Sequence, residues 1–231
     1  MKKIFLAILI LNFGLNKLSF SQDLTVFTEE LPGLIEVDDD TIKGPVVDQV
    51  RKILKKANLN ANIKAFPWAR SYEMAKRNKN YFIFPMAKNA EREKHFNFVG
   101  VLFKIKTYFY QRNTSDFKIT KLEDAKNLSI CVVRNDIRDQ FLTQQGFENL
   151  VRFPDQDDSI HELIAKKCDV TICAENIEFL WKKNLKEDIK SLVKKSYLVK
   201  EISGDRYLSI NKDSSPEVIQ KISEAMKDLK Y

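Results

Sequence analysis

Phe66-Pro67-Trp68-Ala69-Arg70-Ser71-Tyr72, followed by Glu91-Arg92-Glu93-Lys94-His95-Phe96-Asn97-Phe98-Val99-Gly100, is the passage on which the reading of this 231-residue chain turns. Residues 63–66 form a short strand that brings the chain to Pro67. Proline is accepted in the first turn of a helix but not inside it, so the spacing predicts a helix over 71–76 that begins near Trp68. Tyr81-Phe82-Ile83-Phe84 is an apolar run short enough for a buried strand, and Pro85 is expected to end it. Upstream, 23–27 form a strand, and Gly44-Pro45 opens a helix with Val46, Val47, Val50, Ile53 and Leu54 on one face. This alternation of strand and helix predicts a mainly parallel sheet covered by helices. The tryptophan, the tyrosine and two arginines then fall at strand ends and helix starts, where a ligand can reach them.

The pattern repeats further on. Residues 102–111 are rich in strand formers and carry the chain into a second unit. A short helix at 122–125 and a strand at 128–133 come next, then a helix at 137–145 capped by Asp136 and stopped at Gly146. A strand at 150–153, a helix at 159–166, a strand at 170–174 and a helix at 177–183 complete the unit. Residues 197–202 read as a return crossing, 206–210 as a strand of the first unit, and 216–229 as a closing helix with Pro216 in its first turn. The expected division is lobe 1 from 22–105 with 198–231, and lobe 2 from 106–197. Two lobes joined by paired strands can hinge, closing on a ligand held between the carboxyl ends of both sheets.

Met1-Lys2-Lys3, the apolar run from Ile4 to Leu11, and Ser19-Phe20-Ser21 have the form of a secretory signal peptide over 1–21, cleaved after Ser21. The apolar run is too short for the ~20 residues of a membrane span. A periplasmic location is expected. The formal charge of +7 shrinks when Lys2, Lys3 and Lys17 leave. Lysine pairs such as Lys55-Lys56, Lys166-Lys167, Lys182-Lys183 and Lys194-Lys195 read as solvated helix faces, not a phosphate track, which argues against nucleic acid. An oxidising compartment permits one disulfide among Cys131, Cys168 and Cys173, and spacing does not choose the pair. An extended segment from Cys168 to Cys173 holds its ends beyond the ~7 Å that a bridge allows, and the three read as small buried apolar side chains. His95 and His161 stand alone, so no metal is expected, and Asp38-Asp39-Asp40 is too short for a calcium loop.

The two opening stretches resemble the lobe-one signature of the extracytoplasmic solute-binding proteins of family 3. They are closest to a branch reading Pro-Trp-x-Arg-aromatic and then Glu-Arg-Glu before an aromatic-Val-Gly. The similarity continues through Leu122-Glu123-Asp124-Ala125-Lys126-Asn127-Leu128-Ser129-Ile130, through 161–170 and through 207–229. The resemblance implies an α/β, two-lobed, type II periplasmic-binding-protein-like fold. It implies an exported monomer without a cofactor that captures an amino acid or a related carboxylate and presents it to a membrane permease of an ABC transporter. The alternatives are a ligand-sensing partner of a membrane receptor, or a dehydratase-like enzyme.

By the same resemblance, Arg92 grips a ligand carboxylate, a role that suits a guanidinium fork, and Trp68 offers a flat wall. Arg70 and Tyr72 follow on the same turn as further polar contacts. The chain departs from the family at Phe84-Pro85-Met86-Ala87-Lys88-Asn89, which has no hydroxyl for a ligand amine, and Lys88 stands where the branch carries another arginine. Glu175 is the lobe-two acidic candidate, offset by one. Val133-Arg134-Asn135-Asp136 replaces a Gly-Thr turn before a helix, and Arg134 adds charge there. In the loop after the first strand, Glu29 can accept a hydrogen bond from an amine or hydroxyl. As an enzyme the chain would rely on Glu29, Asp136 and Glu175 as acid or base, but no nucleophile motif is present and six glycines build no phosphate cradle. Binding without chemistry is the expectation.

Overall fold

The computed structural model describes residues 24–39, 41–175, 188–202 and 204–227; the leader read at 1–21 and the helix read at 177–183 lie outside them. β1 (Leu24–Thr28), β4 (Ala61–Ala65) and β5 (Tyr81–Met86) are parallel neighbours, with β1 in the middle. β12 (Gly204–Asn211) runs antiparallel between β5 and β6 (Phe96–Ile105), giving the order β4-β1-β5-β12-β6. The second sheet has the order β11-β7-β10-β8-β9, built from β7 (Thr107–Arg112), β8 (Ile130–Val133), β9 (Leu150–Phe153), β10 (Val170–Ala174) and β11 (Val193–Leu198). β9, β8 and β10 are parallel, while β7 and β11 are antiparallel to their neighbours. A small hairpin of β2 (Glu36–Asp38) and β3 (Thr41–Lys43) precedes the first helix. The fold is α/β with two sheets flanked by helices, as the sequence pattern predicts.

Local chemistry explains the helices that matter for the site. α1 (Pro45–Lys56) starts with Pro45 at its first position and buries Val46, Val47, Val50, Ile53 and Leu54, a stripe one face wide. α2 (Trp68–Arg77) follows Pro67 directly and buries Trp68, Ser71, Tyr72 and Ala75 at helical spacing. The Ser71 hydroxyl donates to the Thr28 carbonyl at 2.7 Å and ties α2 to the end of β1. α3 (Ala90–Glu93) is a single turn capped by the Asn89 side chain, which accepts from the Arg92 amide. α4 (Ile137–Gln144) is capped by Asp136, whose carboxylate accepts from the Arg138 amide at 2.9 Å. α5 (Gln156–Ile164) is capped by Asp155. α6 (Ile189–Leu192) and α7 (Pro216–Lys227) complete the described helices.

Three readings need correction. Pro85 does not end its strand, since β5 runs on to Met86, which pairs with Tyr207. The missing N–H is harmless there: β1 pairs only with Tyr81, Phe82 and Ile83, and β12 shifts register between Tyr207 and Ser209, opposite Phe84 and Pro85. Lys194 and Lys195 lie on β11 and not on a helix; as the outermost strand of its sheet, β11 is an edge that exposed lysines keep soluble. Cys131 and Cys168 are bonded to each other, bridging 37 residues with Cα atoms 5.8 Å apart. Periodicity cannot see this pair, because β8 and the turn before β10 meet only through the sheet. Cys173 alone remains a buried thiol, pushed up to about 12 by burial.

The chain crosses between the sheets at two adjacent places. Lys106 alone separates β6 from β7, and residues 199–203 separate β11 from β12. The strands on either side are paired, Leu198 with Tyr108 and Gly204 with Ile105, so the two crossings lie side by side.

Candidate ligand-binding cleft

Strands β1, β4 and β5 end toward the second sheet, so Glu29, Phe66 and Ala87 begin the loops that face it. From the other side come the loop after β8, with Asp136 and the start of α4, and the first turn of α5. Between them lies a cavity of ≈ 50 Å³, lined in one lobe by Glu29, Trp68, Arg92 and Arg206 and in the other by Thr107, Asp136, Arg138 and Gln156. Glu29, Glu30 and Gln156 also line a larger hollow of ≈ 260 Å³, where Phe66, Pro67, Asp155 and Asp157 form the walls. A depression of ≈ 540 Å³ between α1 and the edge strand β4 is lined by one lobe only, so lobe closure cannot shape it.

The inner cavity is dominated by guanidinium groups. Arg138 forms a buried ion pair with Asp136 through Nε, and its Nη1 donates to Gln156 Oε1 at 2.6 Å. Burial disfavours the Asp136 carboxylate, but the Arg138 charge beside it outweighs burial and holds the group at about 2. Glu29 has the opposite fate. Burial, reinforced by the Asp136 charge, raises it to about 8, and among the described residues its carboxyl has no hydrogen-bond partner. Among the described residues Arg206, where β12 enters the first sheet, donates only to backbone carbonyls: Gly204 and Asp205 at 3.3 Å and Ile202 at 3.4 Å. Burial lowers it to about 10.

Arg92 is almost wholly buried, at 1% exposure. Its guanidinium lies 5.1 Å over the Trp68 ring and 5.5 Å from the Tyr72 ring. Nη1 donates to the Ala87 carbonyl at 3.0 Å, Nε to Gln140 Oε1 at 3.2 Å and Nη2 to the Asn135 carbonyl at 3.4 Å. Trp68 Nε1 donates to the same Asn135 carbonyl at 3.0 Å, and Asn89 Nδ2 to Gln140 Oε1 at 3.1 Å. The tryptophan, arginine and asparagine of lobe 1 thus all bond to the loop and helix that follow β8.

Of the nine residues singled out from the sequence, Glu29, Trp68, Arg92 and Asp136 meet around the inner cavity. Tyr72 supports them from behind, its ring packed at a tilt against Trp68 and Phe96. The remaining four lie elsewhere. Arg70 is exposed, with its guanidinium 4.0 Å over the Phe66 ring. Lys88 is exposed and paired with Glu93 at 2.7 Å. Arg134 points to solvent from the loop after β8. Glu175 is spent on the crossing, where its carboxylate accepts from the Lys106 amide at 3.1 Å and its own amide donates to the Lys106 carbonyl at 2.9 Å. Sequence reasoning missed Arg138, Arg206, Gln140 and Gln156. A usable signal existed for one of them: Arg206 is the lone arginine where the return strand enters lobe 1.

The comparisons agree with this architecture. The family described as bacterial extracellular solute-binding proteins, family 3, matches residues 24–231. The chain belongs to that family. Among curated proteins, none matches it. Solved structures share its fold. A histidine kinase sensor domain with similarity to periplasmic binding proteins superposes with TM-score 0.74 at 17% identity, covering 89% of each chain. The arginine-bound form of truncated ArgBP from T. maritima gives 0.73 at 20%, covering 90% of this chain and 96% of that one. An arginine 3rd transport system periplasmic binding protein from Legionella pneumophila gives 0.69 at 17%, covering 88% and 92%. The family is one of extracellular solute-binding proteins.

Proposed function

We propose that this chain is exported by a cleaved leader and acts as a monomer of two lobes, 22–105 with 198–231 and 106–197. It captures a small polar solute bearing a carboxylate, an amino acid or a close relative, in the interlobe cleft and presents it to a membrane transporter. One observation carries the reading: guanidinium groups outnumber ionised carboxylates around the inner cavity. Arg92, Arg138 and Arg206 face Asp136, Glu30 and a Glu29 that is mostly protonated near neutral pH. A carboxylate entering such a site gains charge-assisted hydrogen bonds in a place sheltered from water. Glu29, next to it, can ionise when an amine arrives and then pair with it. That a neighbour with the same fold is an arginine-bound protein supports the choice of solute class.

A second reading, as the ligand-sensing part of a membrane receptor system, is favoured by the likeness to a histidine kinase sensor domain. Of the three carboxylates an enzyme would rely on, Asp136 is engaged by Arg138 and the α4 cap and Glu175 by the crossing, which leaves Glu29 without a second acid or base to work with. The deciding experiment is a thermal-shift screen of amino acids, small carboxylates, sugars and short peptides. A cognate solute at a hundredfold excess over its Kd stabilises the fold by about 2.7 kcal/mol. No response to any carboxylate or amino acid removes the reading, and slow consumption of a stabilising solute replaces it with an enzymatic one.

A further inference from the structure

Arg92 and Arg206 both border the inner cavity, yet they are bonded in different ways. Three directions of the Arg92 fork are already taken, by the Ala87 carbonyl, the Asn135 carbonyl and Gln140 Oε1. Two of these acceptors lie across the cleft, and neither Asn135 nor Gln140 lines the cavity. Trp68 Nε1 and Asn89 Nδ2 reach the same two partners. These contacts form a polar clasp between the lobes, with Arg92 at its centre. Arg206 has no such engagement. Its three long contacts go to carbonyls of its own turn, its Nε is uncommitted, and among the described residues no carboxylate pairs with it. Arg138 cannot substitute for it, because Asp136 already neutralises that charge. A sheltered guanidinium that feels the charges of Asp136 and Asp205 but touches neither carboxylate is costly to keep, and a bound carboxylate supplies the missing contact.

We propose that Arg206 receives the solute carboxylate, and that Arg92 is a positioning residue that clasps the closed lobes instead of gripping the ligand. This rests on the cleft being a binding site for a carboxylate-bearing solute. It places the anion at the hinge strand β12, where Arg206 moves with lobe 1 while standing beside the crossing.

The test compares each of the twenty L-amino acids with its own α-carboxamide, which keeps shape and removes the charge. Thermal shift on the native protein finds the pair to follow, and calorimetry gives affinities. Arg206→Gln should weaken binding of the acid on the order of 100-fold and bring acid and amide to nearly equal affinity. Arg92→Gln should weaken both alike, leave the acid-to-amide ratio intact and speed dissociation. Its effect should overlap with that of Gln140→Ala, so that the double variant loses less than the two singles combined. If Arg206→Gln does not fold, Arg206→Lys keeps the charge without the fork and should still erode the acid-to-amide ratio. The assignment is overturned if the ratio survives at position 206 and collapses in Arg92→Gln. If no amino acid, small carboxylate or amide stabilises the native protein, the binding reading itself has failed, a result visible before any variant is made.

Discussion

Glu29 and Asp136 share one cavity and titrate in opposite directions, so single substitutions at each give opposite pH signatures. Glu29 keeps its proton in the folded protein up to about 8, whereas in the unfolded chain it gives it up at the ordinary 4.5. Below 4.5 both states hold the proton and nothing is lost. Between 4.5 and about 8 the unfolded state ionises first, so stability falls as pH rises through that window. Glu29→Gln should therefore match the native Tm at acid pH and exceed it progressively up to pH 8, reaching ~2 kcal/mol once partial exposure is allowed for. Asp136 lies at about 2 against 3.8, so its contribution is complete above 3.8 and disappears as pH falls through 2. Asp136→Asn strands the Arg138 charge, and chemical denaturation at neutral pH should show a loss of about 3 kcal/mol. That deficit should vanish near pH 2. An equal deficit at both pH values would mean that the ion pair is not its source.

Helices and strands were legible wherever burial has a period. The stripe from Val46 to Leu54 gave α1, and Asp136 and Gly146 bracketed α4 within a residue of its observed ends. Long-range pairing was not legible. The Cys131–Cys168 bond depends on β8 meeting β10, and nothing within either segment announces it. Closing a loop of 37 residues removes chain entropy worth about 4 kcal/mol from the unfolded state. Cys168→Ala, or reduction of the native protein, should lower the denaturation midpoint accordingly, while Cys173→Ala should leave the reductant response intact. Coincident midpoints with and without reductant would deny the bond a stabilising role. Another element depends on one glycine. Gly44, ahead of α1, has φ +123°, and an added Cβ would come within 2.5 Å of the Leu34 carbonyl oxygen. Gly44→Ala should cost about 1–3 kcal/mol, read as a drop in Tm, because the obstacle is backbone and cannot turn aside.

At the scale of the molecule, the two-lobed plan could be read from the repeated order of strands and helices, but the cleft could be read only in part. Glu29, Trp68, Arg92 and Asp136 sit beside turns, where sequence signals are strong. Arg138, Gln140 and Arg206 acquire meaning only when the lobes meet; the Arg92 to Gln140 contact spans 48 residues. If the clasp holds the lobes together, Gln140→Ala should enlarge the ligand-free protein in small-angle scattering and leave the liganded form compact. Unchanged dimensions would assign the clasp a purely local role. The position of β12 has a further consequence, for synthesis. It fills the gap between β5 and β6, yet it is made after every strand of the second sheet. Until residues 204–211 have emerged, the first lobe lacks an inner strand and cannot close its sheet. Lobe 2 is complete in sequence by then and lobe 1 is not.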